Sequence, residues 1–143
     1  LNQRDDIQLL KKILENKVKN YLKEFSTSNE GLIINWPKNF KIYGWLVSIS
    51  SGGKLSPHIH KEGWLSGSLY FTMPSKKTKN EGNIVFSLDG ANYPTDGKKF
   101  DKKSVDVNKG DLVLFPSSLF HHTIPFKSNE ERVTFAFDII PQN

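Results

Sequence analysis

The sequence predicts a mainly β fold, a jelly roll preceded by one amphipathic N-terminal α-helix, and three observations carry that prediction. From residue 40 onward the chain falls into short aromatic and β-branched runs broken by Gly, Pro, Asn and Asp. About eight such runs recur at intervals of roughly ten residues, the rhythm of a sandwich or barrel. Ahead of them, residues 5–25 alone carry a helical period.

In that first stretch Ile7, Leu10, Leu14, Val18, Tyr21 and Phe25 recur at steps of three and four, with Lys, Glu and Asn between them. The result is one apolar stripe that must pack on something else. Asp5 and Asp6 suit the positive end of the helix, and Ser26-Thr27-Ser28-Asn29 stops it.

The expected strands are 40–49, 54–60, 65–73, 83–88, 104–107, 111–115, 121–125 and 132–140. Alternation is clearest in 83–88 and 132–138. Residues 75–82 and 89–103 are polar connections, the second long enough to border a pocket. At 143 residues the whole chain, 1–143, is expected to be one domain, with the helix packed on a core spanning 40–141.

Composition narrows the function. There is no cysteine, so thiolate metal sites, iron-sulfur clusters and disulfides are excluded, and a metal would have to be held by His, Asp or Glu. The net charge of +5 comes from lysines scattered over several stretches. Without a stacking-aromatic motif this reads as solvated surface, and no nucleic-acid partner is expected. No apolar run approaches the roughly 20 residues that span a bilayer, so no membrane association and a cytoplasmic location are expected. The chain begins at Leu1 rather than Met, as a piece of a longer protein would. The sequence does not set the oligomeric state.

All four histidines fall in two segments, His58-Ile59-His60 and His121-His122. If residues 57–61 are extended, His58 and His60 share a face and their imidazoles converge, as two ligands of one ion must. Hydrogen-bonded or exposed histidines are the plainer use of such a pair. His121 and His122 point to opposite sides of an extended chain, so one reaches the interior and the other does not. The turn over 125–131 forms a hairpin-like path that brings Arg132 back beside His121. Tyr43, Trp45, Trp64 and Tyr70 are candidate aromatic walls of a pocket.

In the last run, Arg132, Thr134, Ala136 and Asp138 occupy one face, and Val133, Phe135, Phe137 and Ile139 the other. The second set is packing. An arginine on the first face would be a buried charge in need of an anion, and the carboxylate of a bound small molecule meets that need through a bidentate pair. A strand-edge arginine in water, or one paired with Glu130, Glu131 or Asp138, is the alternative.

With these residues in view, the runs SPHIHKEGWLSGSLYF and GDLVLFPSSLFHHTIPFKSNEERVTFAFDIIP resemble those of iron(II)- and 2-oxoglutarate-dependent oxygenases. The resemblance covers roughly 40–141 and leaves the helix outside. It implies a double-stranded β-helix, Fe(II) as cofactor and 2-oxoglutarate as co-substrate, and hydroxylation of an unidentified small-molecule or peptide substrate. It further implies His58 and His121 as iron ligands, Arg132 as partner of the distal 2-oxoglutarate carboxylate, Thr134 as the hydroxyl two residues beyond it, and Tyr70 as a further co-substrate contact. The sequence departs from the pattern at His60, where most of the superfamily has Asp or Glu. His60 is then a third ligand or a neighbour of the site; Glu62 is a weaker replacement, and His122 a neighbour.

The spacing from Gly52 to His58-Ile59-His60 and from Gly110 to Pro116 and His121 also looks like the two metal-binding motifs of cupins. It lacks the Glu expected after the H-x-H pair and has Ser118 where Gly is usual. A cupin enzyme that does not use 2-oxoglutarate, and a non-catalytic jelly-roll binding domain, are the alternative functions.

Overall fold

Among the described residues, seven strands and two helices, α1 Gln3–Glu24 and α2 Gly31–Ile34, make up a mainly β structure. The structure is a computed structural model that describes residues 3–142. The ends of the expected unit 1–143, including Leu1, lie outside the described residues. The strands are β1 Phe40–Ile49, β2 Leu65–Thr72, β3 Ile84–Ser87, β4 Lys103–Val105, β5 Leu112–Pro116, β6 Phe120–Thr123 and β7 Arg132–Pro141.

They form two antiparallel sheets, a larger one in the order β1-β7-β2-β5 and a smaller one in the order β4-β3-β6. Strand β7 sits inside the larger sheet, paired along its length with β1 and, with a β-bulge between Tyr70 and Thr72, with β2. Its alternation sorts the two cores. Phe137 and Ile139 turn outward and, with Leu65, meet Leu14 and Val18 of α1. Arg132, Thr134, Ala136 and Asp138 turn inward and are all buried. Between the sheets, Tyr70, Ile84, Phe86, Val107 and Phe115 form the second core.

The helix thus buries only the middle of its predicted stripe. Leu14 and Val18 are covered, whereas Ile7 and Phe25 are 64% and 42% exposed. Phe25 lies just past the helix end, its ring tilted against that of Tyr21 at 4.8 Å. The short α2 was not foreseen; it offers the Leu32 carbonyl to the Trp64 indole N–H at 2.9 Å. Among the described residues, no helix is long and apolar enough to cross a membrane.

The clearest correction concerns 54–60, expected as a strand and observed as irregular chain with one isolated bridge, His58 to His121. The segment still runs antiparallel beside β6. Leu55 and Thr123 are joined through the Leu55 carbonyl at 3.1 Å, and His58 and His121 exchange both backbone bonds at 3.1 and 3.0 Å. Three residue steps on one side face two on the other, so the ladder breaks at Ser56-Pro57. Pro57 has no N–H to give it.

The path from β6 to β7 is not a hairpin either. Strand β6 pairs with β3 in the small sheet, whereas β7 belongs to the large one. His121 and Arg132 are therefore brought together across the space between the sheets, not side by side.

Candidate metal centre

His121 is carried by β6 with its side chain turned inward, against Phe115 at 4.7 Å and Phe86 at 6.3 Å between ring centroids. The paired backbone of His58 lies opposite, and the His58 ring packs 4.2 Å from that of His121. His60, two residues on, is held by its own N–H to the Ser117 carbonyl at 3.0 Å. Its ring is 5.3 Å from His58 and 5.0 Å from His121. The two histidines converge as alternation predicts, even though their segment is not a regular strand.

In all three rings Nδ1 is already engaged: with the Ser56 carbonyl at 2.7 Å for His58, the Leu119 carbonyl at 3.1 Å for His121, and Asp138 Oδ1 at 2.6 Å for His60. A carbonyl or carboxylate accepts, so Nδ1 carries the hydrogen and Nε2 is the nitrogen left for a metal. One ring nitrogen from each histidine lies within 4.8 Å of the other two. Three imidazoles on a shared cavity, each with Nδ1 engaged elsewhere, are a donor set suited to a divalent iron, zinc, nickel or copper ion.

Burial keeps His121 neutral. Desolvation lowers its pKa to about 4, the Leu119 carbonyl opposing this and the other two histidines adding to it. His122 stays outside the cluster. It faces the other side of β6, and its pKa is lowered by desolvation and by Lys102 and Lys54. Glu62 is exposed and apart from the three rings.

The cavity in front of these rings is lined by Trp45, Val47 and Ile49 of β1, Ser68 of β2, and Arg132, Thr134 and Ala136 of β7. Arg132 is 3% exposed. Its Nη2 donates to the Tyr70 hydroxyl at 3.3 Å, and its guanidinium carbon stands 5.0 Å from the centre of that ring. Its Nε has no hydrogen-bond partner. The three carboxylates that might have paired with it are engaged elsewhere: Glu130 by Ser75, Glu131 by Ser48, and Asp138 by His60 and Ser66.

A buried guanidinium with an orphaned donor is costly without an anion. Tyr70, its pKa raised by burial against the lowering effect of Arg132, stays a neutral phenol that accepts from the guanidinium and offers it no charge. The cavity therefore fits a divalent ion at one end and a carboxylate at the other.

Of the proposed aromatic walls, only Trp45 lines this cavity. Tyr43, stacked on Trp45 at 5.9 Å, is 59% exposed, Trp64 is tied to α2, and Tyr70 is packed in the inner core beneath Arg132. Asp138, named from the sequence only as a possible partner of Arg132, forms instead a buried polar cluster behind His60 with Ser66 and Ser117, neither of which was assigned a role. The available signal was the shared face of β7, which puts Asp138 in the row of Arg132 and Thr134.

Among curated proteins no match to the chain was found. Solved structures do match in fold. HygX from Streptomyces hygroscopicus with iron bound superposes with a TM-score of 0.56 at 15% identity, over 76% of this chain and 60% of HygX. HygX with nickel and 2-oxoglutarate bound gives the same values. A prolyl-4-hydroxylase from Pseudomonas putida gives 0.51 at 17% identity, over 75% of this chain and 54% of the hydroxylase. The chain thus spans a little over half the length of these proteins. A sequence model of the family described as "Putative 2OG-Fe(II) oxygenase" matches residues 43–138, well over half of the chain and all the strands that line the cavity except the ends of β1 and β7. With histidines and a buried arginine sharing the interior of that matched span, the chain belongs to the 2OG-Fe(II) oxygenase family, whose cofactor and co-substrate are Fe(II) and 2-oxoglutarate.

Proposed function

We propose that this chain forms the catalytic core of an Fe(II)- and 2-oxoglutarate-dependent oxygenase, in which His58, His60 and His121 hold the iron and Arg132 receives the distal carboxylate of 2-oxoglutarate. The observation that carries the reading is Arg132, a buried cation with an unpartnered Nε facing the same cavity as three convergent imidazoles. The fold is read as a double-stranded β-helix. The segment around His58, lying along β6, takes the place of the eighth strand and completes a four-on-four arrangement with the β1-β7-β2-β5 sheet.

Such a site couples 2-oxoglutarate, O2 and a substrate C–H bond to succinate, CO2 and an alcohol. The protein's part is placement. His58 and His121, fixed through their backbone pair, present two donors from adjacent segments of the small sheet, and His60 presents the third. Arg132, braced from beneath by the Tyr70 hydroxyl, grips the carboxylate, and Thr134, next inward on β7 and buried, offers a hydroxyl between the two ends. Trp45, 5.6 Å from His60, closes one wall and leaves Tyr43 at its rim as a first contact for substrate. The substrate class is a small molecule or a peptide side chain; the HygX structure with nickel, 2-oxoglutarate and hygromycin B bound shows that a fold of this type can seat a small molecule in that protein.

Anaerobic addition of Fe(II) and then 2-oxoglutarate tests the reading. The expected result is a weak visible charge-transfer band that forms only with both present, and succinate release when O2 is admitted. Metal binding without any effect of 2-oxoglutarate would favour the cupin alternative, and no binding of either a non-catalytic domain.

A further inference from the structure

Three neutral imidazoles leave the full double charge of an iron(II) ion uncompensated in a cavity that also holds a buried guanidinium. Non-haem iron(II) oxygenase sites commonly use two histidines and one carboxylate. In this chain the nearest carboxylate does not face the cavity. Asp138 is 7% exposed and lies behind His60, its Oδ1 accepting from His60 Nδ1 at 2.6 Å and from the Ser66 hydroxyl at 2.6 Å. Ser66 in turn is 2.8 Å from the Ser117 hydroxyl, and the Ser117 carbonyl holds the His60 backbone.

The arrangement is tight. A Cβ at Gly63 would fall 2.4 Å from Ser117 Oγ and 3.2 Å from Asp138 Cγ, so the chain after His60 closes over this cluster only because residue 63 has no side chain. Arg132 does not compete for the carboxylate. Six residues along an extended strand separate the two by roughly 20 Å, which puts anion and cation at opposite ends of the inward row of β7.

We propose that Asp138 is a positioning residue of the centre, holding His60 with Nδ1 protonated and Nε2 toward the ion, and supplying from one imidazole away the negative charge that the three donors lack. The role is that of a carboxylate behind a metal-binding histidine, where such a partner fixes the ring and strengthens it as a donor. The inference rests on the iron site proposed above. Ser66 and Ser117 orient the carboxylate, which explains why two hydroxyls are buried completely beneath a metal site without reaching it.

Asp138→Asn keeps the shape and an acceptor oxygen but removes the charge. With Co(II) as probe, the expected result is a loss of affinity of about 10- to 100-fold and a shift of the visible Co(II) bands at saturation, with thermal unfolding close to that of the parent. An Asp138→Asn protein that binds Co(II) within about twofold of the parent, with unshifted bands, overturns the inference and leaves the iron reading standing. A parent chain that takes up no Co(II) overturns both. Should Asp138→Asn not fold, ring 1H–15N correlations of the metal-free parent decide the matter. His60 as the Nδ1–H tautomer is expected, and the Nε2–H tautomer would overturn the assignment.

Discussion

Arg132 places one guanidinium nitrogen 3.3 Å from the Tyr70 hydroxyl while its carbon stands 5.0 Å from the centre of the same ring. Phenol and cation are thus locked together beneath the cavity, and Nε is left unpartnered. Such a charge is a liability until an anion arrives. Replacing it in Arg132→Met should leave the ligand-free protein as stable as before, or more stable by about 1–4 kcal/mol. The same change should weaken 2-oxoglutarate binding by about 100-fold or more, the order expected for a buried charge-assisted pair, with Co(II) affinity changed less than about threefold. Calorimetric titration with each ligand separates the two effects, and equal loss of both would remove Arg132 from the co-substrate site.

The histidines divide into three that converge and one that does not. His58→Ala and His121→Ala should each abolish tight Co(II) binding, because each removes a donor and its carbonyl-fixed orientation. His122→Ala, on the opposite face of β6, should retain it. Equilibrium dialysis against Co(II) reads the difference, and an equal effect of His122→Ala would shift the centre to another set of ligands.

His121 also makes the metal-free fold sensitive to acid. Its pKa is about 4 in the fold against an ordinary 6.5, so between these values the unfolded chain binds the extra proton and stability rises with pH. The contribution is fully present above about pH 6.5 and is lost as the pH falls to about 4, amounting to at most about 3 kcal/mol. Urea unfolding at pH 7 and pH 4.5 should show the decline, and His121→Gln should flatten that part of it.

The outer core depends on an absent side chain. A Cβ at Gly67 would fall 2.3 Å from the fully buried ring of Phe137 and 3.0 Å from Leu114. Gly67→Ala should therefore destabilise the protein by about 1–3 kcal/mol through forced repacking beneath α1. Thermal unfolding at fixed pH measures it, and an unchanged midpoint would mean that the Phe137 ring swings aside freely.

Much of this was readable because period-two patterns report directly on which way a side chain points. The inward row Arg132, Thr134, Ala136 and Asp138 follows from the alternation of β7, as does the outward row that meets α1. The convergence of His58 with His60 followed from spacing alone. Residues 54–60 were misjudged as a strand because composition cannot show that Pro57 breaks a ladder whose other side is short. The bond from Trp64 to Leu32 depends on where α2 folds back, a tertiary fact with no local signal. The position of Asp138 behind His60 was hidden for a similar reason. It needs the register that sets Asp138 opposite Ser66, and pairing partners are not written in either strand by itself.

The proposed donors and the proposed carboxylate grip come from two different layers. His58 and His121 belong to the small sheet and its flanking segment, Arg132 to the large one, and His60, two residues on from His58, is tethered to the large one through Asp138 and through Ser117, which pairs with Trp64 at its border. An ion and a dicarboxylate lodged together would rivet those layers at mid-depth. Loading should consequently slow amide exchange in β6 and in the part of β7 that faces it far more than in α1, making occupancy legible as stiffness in a part of the molecule that neither ligand touches through its backbone.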